Sequence, residues 1–382
     1  MTFAIFSAGY GMGHHQAARA IAEALARRYP EDPVEVIDFL TLLPPAMARN
    51  TLRVHHWLTR KWPWGYGAMY AITGRLAAVP GWHRLEERPG RKALAQWIEG
   101  NSPRALIATH PMPLMGLAAL KRQGVVRGPV VGVITDYVAH PSWINAPVDG
   151  YAVANAAVGE KIRARIGAAA TVAVTGIPLR AAFASPPSSQ AVRQRWQWDA
   201  RPRVLVNLGS YGMTARKALS LAGALDALTP GAVLVWLTGR DASLYQTLAQ
   251  EAGRHPAWLV LPYQQNMEEW IAAADAVLTP AGALTLTEAA ALRRPVLIYQ
   301  PRPGQEFGNA EWFRQHGAAL VAETPEAARD GLHELLTNAV LVQGMAQRMA
   351  ELVPRNAAER VAQLVTDLLE TRETGAGTSE RG

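Results

Sequence analysis

The strongest constraint on this chain is a rhythm. A short apolar, β-branched run is followed by a turn and a helical stretch, and the pattern repeats almost from end to end. Strands read at 2–8, 33–38, 105–109, 130–135 and 150–154, with a weaker one at 171–174, and helices at 14–28, 91–100, 112–123 and 156–166. A second series places strands at 203–208, 232–237, 258–261, 275–278 and 295–299, and helices at 214–227, 242–253, 267–273, 284–292 and 307–316. Strands alternating with helices predict parallel sheets, and strands apolar along their whole length predict sheets covered on both faces. The Pro- and Ser-rich "FASPPSSQAV" at 183–192 reads as a linker. The expected fold class is therefore α/β, with two Rossmann-like parallel-sheet domains at 1–182 and 193–370 facing a central cleft. One or two amphipathic helices at 338–370 close the second domain, and a flexible tail occupies 371–382. Ligands of such sheets bind outside the carboxyl ends of the strands.

A length of 382 residues suits two domains, and 49% apolar against 18% charged residues excludes a disordered chain. The absence of cysteine excludes disulfides and thiolate metal sites and fits a reducing compartment. The opening residues carry no basic region of a signal peptide. No window reaches the ~18 uninterrupted apolar residues of a membrane span. The expectation is a cytoplasmic protein, soluble or peripheral on the inner face of the cell membrane.

Net charge is +7 and the pI is near 9.8, which asks for an anionic partner. The charge concentrates where the strand–helix rhythm breaks, in an insertion at about 45–92. Residues 49–92 carry Arg49, Arg53, Arg60, Lys61, Arg75, Arg84, Arg88, Arg91 and Lys92 against only Glu86 and Glu87, interleaved with Trp57, Trp62, Trp64, Tyr66, Tyr70 and Trp82. Cationic heads among Trp and Tyr suit a membrane–water interface with anionic lipid. Phosphate and base contacts of a nucleic acid would draw on the same residues, and plain core packing would bury the rings. The expected partner is an anionic membrane surface, met by Trp57, Lys61, Trp62, Trp64 and Trp82, and no nucleic acid is expected.

"SAGYGMGHHQAARAIAEAL" at 7–25 places Gly9, Gly11 and Gly13 between a strand and an alanine-rich helix. Glycines there let a ligand approach backbone N–H groups at the positive end of the helix. It is no dinucleotide fingerprint: Gln16 stands where the third glycine belongs, and Asp38 lies too far on to be its acidic residue. A tight turn explains the glycines but not His14 and His15 side by side at the helix start. A neutral imidazole there suits proton removal from a hydroxyl. "ATHPMP" (108–113) and "VITDYVAHPSWI" (133–144) end two further strands with His110, Asp136, His140 and Trp143. A lone histidine after a strand is commonly a loop residue making a hydrogen bond; several at one sheet edge point to a site. No His-Glu-x-x-His or similar spacing appears, so no metal is expected.

In the second half, "VLVNLGSYGM" (204–213) contributes Ser210, and "LTGRD" (237–241) contributes Gly239 and Arg240. "LTPAGALTLTEAAALRRPVLIYQP" (278–301) sets Gly282 before a helix start with Ala283, Leu284 and Thr285, then Glu288 one turn in. A diphosphate at that helix start would be held by N–H groups and hydroxyls without a metal, and Glu288 is placed to meet a ribose diol. Together with Tyr263 these residues form the expected nucleotide-binding set. "PRPGQEFGNAEW" (301–312) offers Gln305, Glu306 and Asn309, suited to the hydroxyls of a sugar.

Taken together, "GMGHHQAARAI", "VITDYVAHPSWI", "TGIPL", "LTGRD", "QNMEEWIAAADAVLT", "LTLTEAAA" and "PGQEFGNAEWF" resemble the family 28 glycosyltransferases of GT-B fold, in the branch of monogalactosyldiacylglycerol synthases and processive diacylglycerol glucosyltransferases. The resemblance spans residues 9 to 317 in the family's order. It implies a UDP-sugar donor, UDP-glucose or UDP-galactose, bound by the second domain, and a diacylglycerol acceptor entering the first. It further implies inverting hexosyl transfer without a required metal or other cofactor. His14 falls on the family's glycine-loop histidine, the general base, and Asp136 on an acidic residue placed to orient that base or the acceptor. Gly11, Gly13, His15, His110, His140 and Trp143 would line the acceptor side. Glu288 matches the ribose-binding carboxylate, and Gln305, Glu306 and Asn309 the sugar-contacting loop. Where the family commonly has Lys-Pro-Gly-Gly, this chain has Pro280-Ala281-Gly282-Ala283, and its Gly-Gly-Ser is here Leu208-Gly209-Ser210. A transferase acting on another lipid or a soluble acceptor, a UDP-sugar 2-epimerase and a non-catalytic UDP-sugar sensor are the rival readings.

Overall fold

A computed structural model describes residues 2–77, 89–144, 147–208, 213–228 and 232–379. The chain divides into two compact units. The first comprises 1–55, 69–181 and 354–382, and the second 56–68 and 182–353.

The first unit is built on six parallel strands in the order β2-β1-β3-β4-β5-β6. They are β1 (Phe3–Ser7), β2 (Val34–Asp38), β3 (Ala105–Ala108), β4 (Val130–Val133), β5 (Gly150–Val153) and β6 (Thr171–Val174). Side chains alternate across a strand, and β1 shows both faces at work. Phe3 and Ile5 pack with Ile21 and Leu25 of the helix Met12–Arg28. Ala4 and Phe6 pack on the other face with Leu94 and Ile98 of the helix Arg91–Asn101 and with Leu114 and Leu117 of the helix Pro111–Arg122. The order reverses direction at β1, so the crossovers leave a crevice at the carboxyl ends of β1 and β3.

The last helix, Ala357–Ser379, corrects the expected domain boundary. It was expected within 193–370, yet Val361, Ala362, Val365 and Leu369 lie in the core beside Phe3 and Ile21 of the first unit. Arg27 pairs with Glu359 at 2.7 Å, and the Tyr29 hydroxyl meets Thr366 Oγ1 at 2.8 Å. The return is tight. Gly176 has φ +82°, and a Cβ there would stand 2.7 Å from Pro354 Cγ. The segment 371–379, expected to be a flexible tail, continues this helix.

The second unit has six parallel strands in the order β12-β11-β10-β7-β8-β9. They are β7 (Arg203–Asn207), β8 (Val233–Leu237), β9 (Trp258–Leu261), β10 (Ala276–Thr279), β11 (Val296–Tyr299) and β12 (Leu320–Ala322). Read in chain order this is the doubly wound 3-2-1-4-5-6 arrangement, whose crevice opens at the carboxyl ends of β7 and β10. β12 and the helix Pro325–Thr337 have no counterpart in the strand–helix reading. The expected linker contains a helix, Ser189–Arg195, started by the Ser188 hydroxyl accepting from Ala191 N–H.

Candidate active site

In the first unit the site grows from the β1 crevice. Asp38 closes β2 and turns its carboxylate onto the glycine loop, accepting from Gly9 N–H at 3.1 Å and from Leu40 N–H at 3.0 Å. A Cβ on Gly9 would stand 2.7 Å from Asp38 Oδ2, so a side chain there would displace this carboxylate from the loop. Gly11 differs. It stands before the helix Met12–Arg28 with extended backbone, gives no side-chain cap, and has open space where a Cβ would be. The first N–H groups of the helix, those of Met12 and Gly13, therefore keep no protein acceptor within the helix. The helices starting after His110, Asn155, Thr214, Asp241 and Thr324 are by contrast capped by those side chains.

His14 occupies the first turn. Its Nδ1 lies 2.8 Å from the Thr109 carbonyl and 2.7 Å from Thr135 Oγ1, and the Thr109 hydroxyl donates to the His14 carbonyl at 3.0 Å. A carbonyl can only accept, so Nδ1 carries the proton and Nε2 carries the lone pair. Burial pushes the pKa of His14 down to about 4, opposed by the Thr109 hydrogen bond, so the ring is neutral at pH 7. Neutral, with fixed tautomer and one basic nitrogen, it is equipped to accept a proton. Thr109 follows β3, and Thr135 follows β4 with Asp136 next to it. Thr109 and Thr135 were not among the expected residues.

The other histidines divide by role. His110 Nδ1 accepts from Met112 N–H at 3.2 Å, starting a helix, while its ring meets His14 edge-on with centroids 4.8 Å apart and stacks on Tyr10 at 5.3 Å. Burial, with the nearby His14 and His55, holds its pKa well below the usual range. His15 Nδ1 lies 3.1 Å from Ser7 Oγ. His140 has both ring nitrogens engaged: Nδ1 with Ser142 Oγ at 2.6 Å and Nε2 with the Tyr70 carbonyl at 2.9 Å. It ties the loop after β4 to the helix Pro63–Leu76. Trp143, expected at the acceptor cleft, is 2% exposed and sits in the core, its carbonyl accepting from the Tyr151 hydroxyl at 3.0 Å. That expectation is corrected: the short turn Pro141–Trp143 carries the ring into the core with Tyr151 and Ile134.

In the second unit the helix Ala283–Ala291 begins directly after β10. Gly282 precedes it without a side-chain cap and with open space at its Cβ position, as at Gly11. The N–H groups of Ala283, Leu284 and Thr285 form its unpartnered first turn, and Glu288 is 8% exposed one turn further in. Asn309 is fully buried and donates to the Ala281 carbonyl at 3.3 Å, bracing this loop. After β8, Gly239 takes φ +62° and Arg240 lays its guanidinium 4.9 Å from the Tyr263 ring centroid. Arg240 and Tyr263, expected as separate contacts, form one cation–π pair. Ser210 and Trp82 lie outside the described residues.

The sugar loop is more closed than its composition suggests. Glu306 accepts from Arg302 Nε at 2.8 Å, and its other oxygen is held by Arg302 Nη2. Burial opposes the charged guanidinium, but this carboxylate outweighs it and holds the Arg302 pKa above the ordinary range. Both carboxylate oxygens expected to receive sugar hydroxyls thus face a guanidinium. Gln305 Oε1 accepts from the Tyr66 hydroxyl at 2.9 Å. Trp57 in the helix Pro45–Lys61, Trp62 just after it and Trp64 in the helix Pro63–Leu76 are 54%, 56% and 78% exposed, with Lys61 exposed beside them. Among the described residues no helix is long and apolar enough to cross a membrane, and no group of three or more His, Asp or Glu is placed to hold a metal ion.

Residues 14–179 match the family model for monogalactosyldiacylglycerol (MGDG) synthase, and residues 205–365 match that for the glycosyltransferase family 28 C-terminal domain. The two models meet the two sheets in turn and include His14 and Glu288. The chain belongs to the family 28 glycosyltransferases. This glycosyltransferase is similar to the processive diacylglycerol beta-glucosyltransferase of Bacillus pumilus (strain SAFR-032), with 28% identity over 97% of each chain. Its fold is shared with MurG of Acinetobacter baumannii at 19% identity and a TM-score of 0.62, covering 96% of this chain and 99% of that one. It is shared as well with Phytolacca americana UGT2 complexed with UDP-2fluoro-glucose and pterostilbene, at 14% identity and a TM-score of 0.64, covering 98% and 99%. The expected α/β fold with GT-B architecture is therefore the fold of this hexosyltransferase.

Proposed function

We propose that this glycosyltransferase moves a hexose from a UDP-sugar to the free hydroxyl of diacylglycerol at an anionic membrane surface. The observation that carries the reading is His14: a neutral imidazole in the first helical turn after β1, its Nδ1–H committed to the Thr109 carbonyl, so that Nε2 is its basic nitrogen. A diacylglycerol hydroxyl is too weak an acid to ionise beforehand, so Nε2 takes its proton as the new C–O bond forms. The hydroxyl oxygen attacks the anomeric carbon as it loses this proton, the bond to the β-phosphate oxygen breaks, and the configuration inverts. The departing diphosphate is met by the N–H groups of residues 283–285 and the dipole of their helix. Arg240 adds a cation from the end of β8, and in this reading no metal is required. Asp136, one residue past the Thr135 that touches His14, serves the acceptor side, and Glu288 the ribose.

Support for diacylglycerol comes from the Bacillus pumilus relative, a processive diacylglycerol beta-glucosyltransferase, and for a UDP-sugar from the UDP-2fluoro-glucose in the Phytolacca structure. Support for a surface-bound enzyme comes from the exposed Trp57, Trp62 and Trp64 beside Lys61, since Trp rings settle at headgroup level and cations meet anionic lipid. The test is release of UDP on incubation with diacylglycerol in anionic vesicles and each of several UDP-sugars, with the lipid product weighed by mass spectrometry. A hexosylated diacylglycerol is expected. Conversion of the UDP-sugar without any lipid acceptor would replace this reading with an epimerase.

A further inference from the structure

The hydroxyl of Tyr66 belongs by sequence to the aromatic, basic stretch but ends in the loop that carries Gln305. We propose that Tyr66 is a positioning residue for the donor sugar, acting through Gln305; the inference rests on the donor reading above. Its hydroxyl donates to Gln305 Oε1 at 2.9 Å. That bond engages the amide oxygen and leaves the Gln305 Nε2 group, a pure donor, as the face available to a ligand. The approach is tight as well as directed. The Cβ that Gly67 lacks would stand 2.4 Å from Pro303 Cβ, so the backbone of 66–67 lies against the loop at van der Waals range. Gln305 itself opens the helix Gln305–Gln315 after Gly304, whose φ of +104° only glycine adopts without strain. The start of that helix is thus held by two contacts from residues 66–67, one to Gln305 and one to Pro303.

Arg302 completes the device. It grips both oxygens of Glu306, while its Nη1 is buried without a hydrogen-bond partner. Of the three side chains expected at the sugar hydroxyls, Gln305 and Glu306 are therefore engaged on their acceptor atoms. What Gln305 presents is a donor, Nε2, which favours ligand oxygens bearing lone pairs. Tyr66 fixes which end of Gln305 does the recognising.

The experiment compares Tyr66→Phe, which keeps the ring and its packing, with the wild type. UDP-glucose binding is measured by calorimetry without lipid, and steady-state kinetics on detergent-dispersed diacylglycerol. Loss of one neutral hydrogen bond predicts a rise of about fivefold in donor KM and Kd, with kcat within about twofold. On a Gln305→Ala background the same substitution is expected to add nothing, because its partner is gone. An unchanged donor KM in Tyr66→Phe, or an equal rise on both backgrounds, overturns the assignment. Failure of the wild type itself to bind UDP-glucose defeats the donor reading instead.

Discussion

The two units repeat one device and use it for opposite chemistry. In each, a glycine without a side-chain cap precedes a helix at the crevice of a parallel sheet, Gly11 after β1 and Gly282 after β10. Neither glycine is required by packing, since a Cβ would meet nothing within 4 Å at either. After Gly11 the first turn carries the imidazoles of His14 and His15 behind Met12 and Gly13, and His14 is held neutral. After Gly282 it carries Leu284 and Thr285, with the carboxylate of Glu288 behind. The helix dipole that welcomes an anion at Gly282 also disfavours a protonated His14 at Gly11, so it reinforces the neutral base. One backbone arrangement therefore serves as an anion cradle or as a base platform according to what the first turn carries.

The largest effect that probes this contrast is His14→Ala. It is expected to lower kcat by about 10²–10⁴-fold, the usual weight of a general base, with donor affinity unchanged in calorimetry. Near-full turnover would end the base platform. Gly282→Ala comes next. The fold is expected to keep its melting temperature, while UDP affinity falls about tenfold as a methyl group enters the space where phosphate approaches. Equal binding in that variant would show that the two helix starts are not alike in use.

Smaller, and specific to the first unit, is the Thr135→Val variant, which removes the hydroxyl 2.7 Å from His14 Nδ1 while the Thr109 carbonyl still holds the tautomer. A fall in kcat of about fivefold is expected, the worth of one hydrogen bond. The pH profile sharpens the same point. His14 in the folded protein titrates near 4 rather than 6.5, so kcat/KM should stay level as pH falls to about 5 and drop only toward 4. Linkage has the matching sign: the unfolded chain binds the proton first, so His14 makes the fold lose stability as pH falls from 6.5 toward 4. An acid limb at 6.5 would mean that the base is another group.

Much of the site was legible because its signals are local. His14, Gly11, Gly282 and Glu288 each stand at a fixed offset from an apolar strand, and in a parallel sheet that offset alone brings them to a crevice. Thr109 and Thr135 gave no such signal: a threonine after a strand is commonplace until its partner is known. Trp143 misled because it follows the same strand end as Asp136, while its ring belongs to the core. Glu306 misled because the arginine that occupies it, four residues before, reads in a sequence as ordinary loop charge.

Periodicity and turn chemistry act over a few residues, so the chain by itself determined its strands, its helices, their parallel packing and the two uncapped helix starts. Contacts across tens or hundreds of residues carry no local mark, and only the tertiary structure decided those. It placed the last helix on the first sheet, chose the proton's position on His14, and brought Tyr66 to Gln305. Those pairings follow from which surfaces bury together best, a property of the assembled cores rather than of any single stretch of sequence.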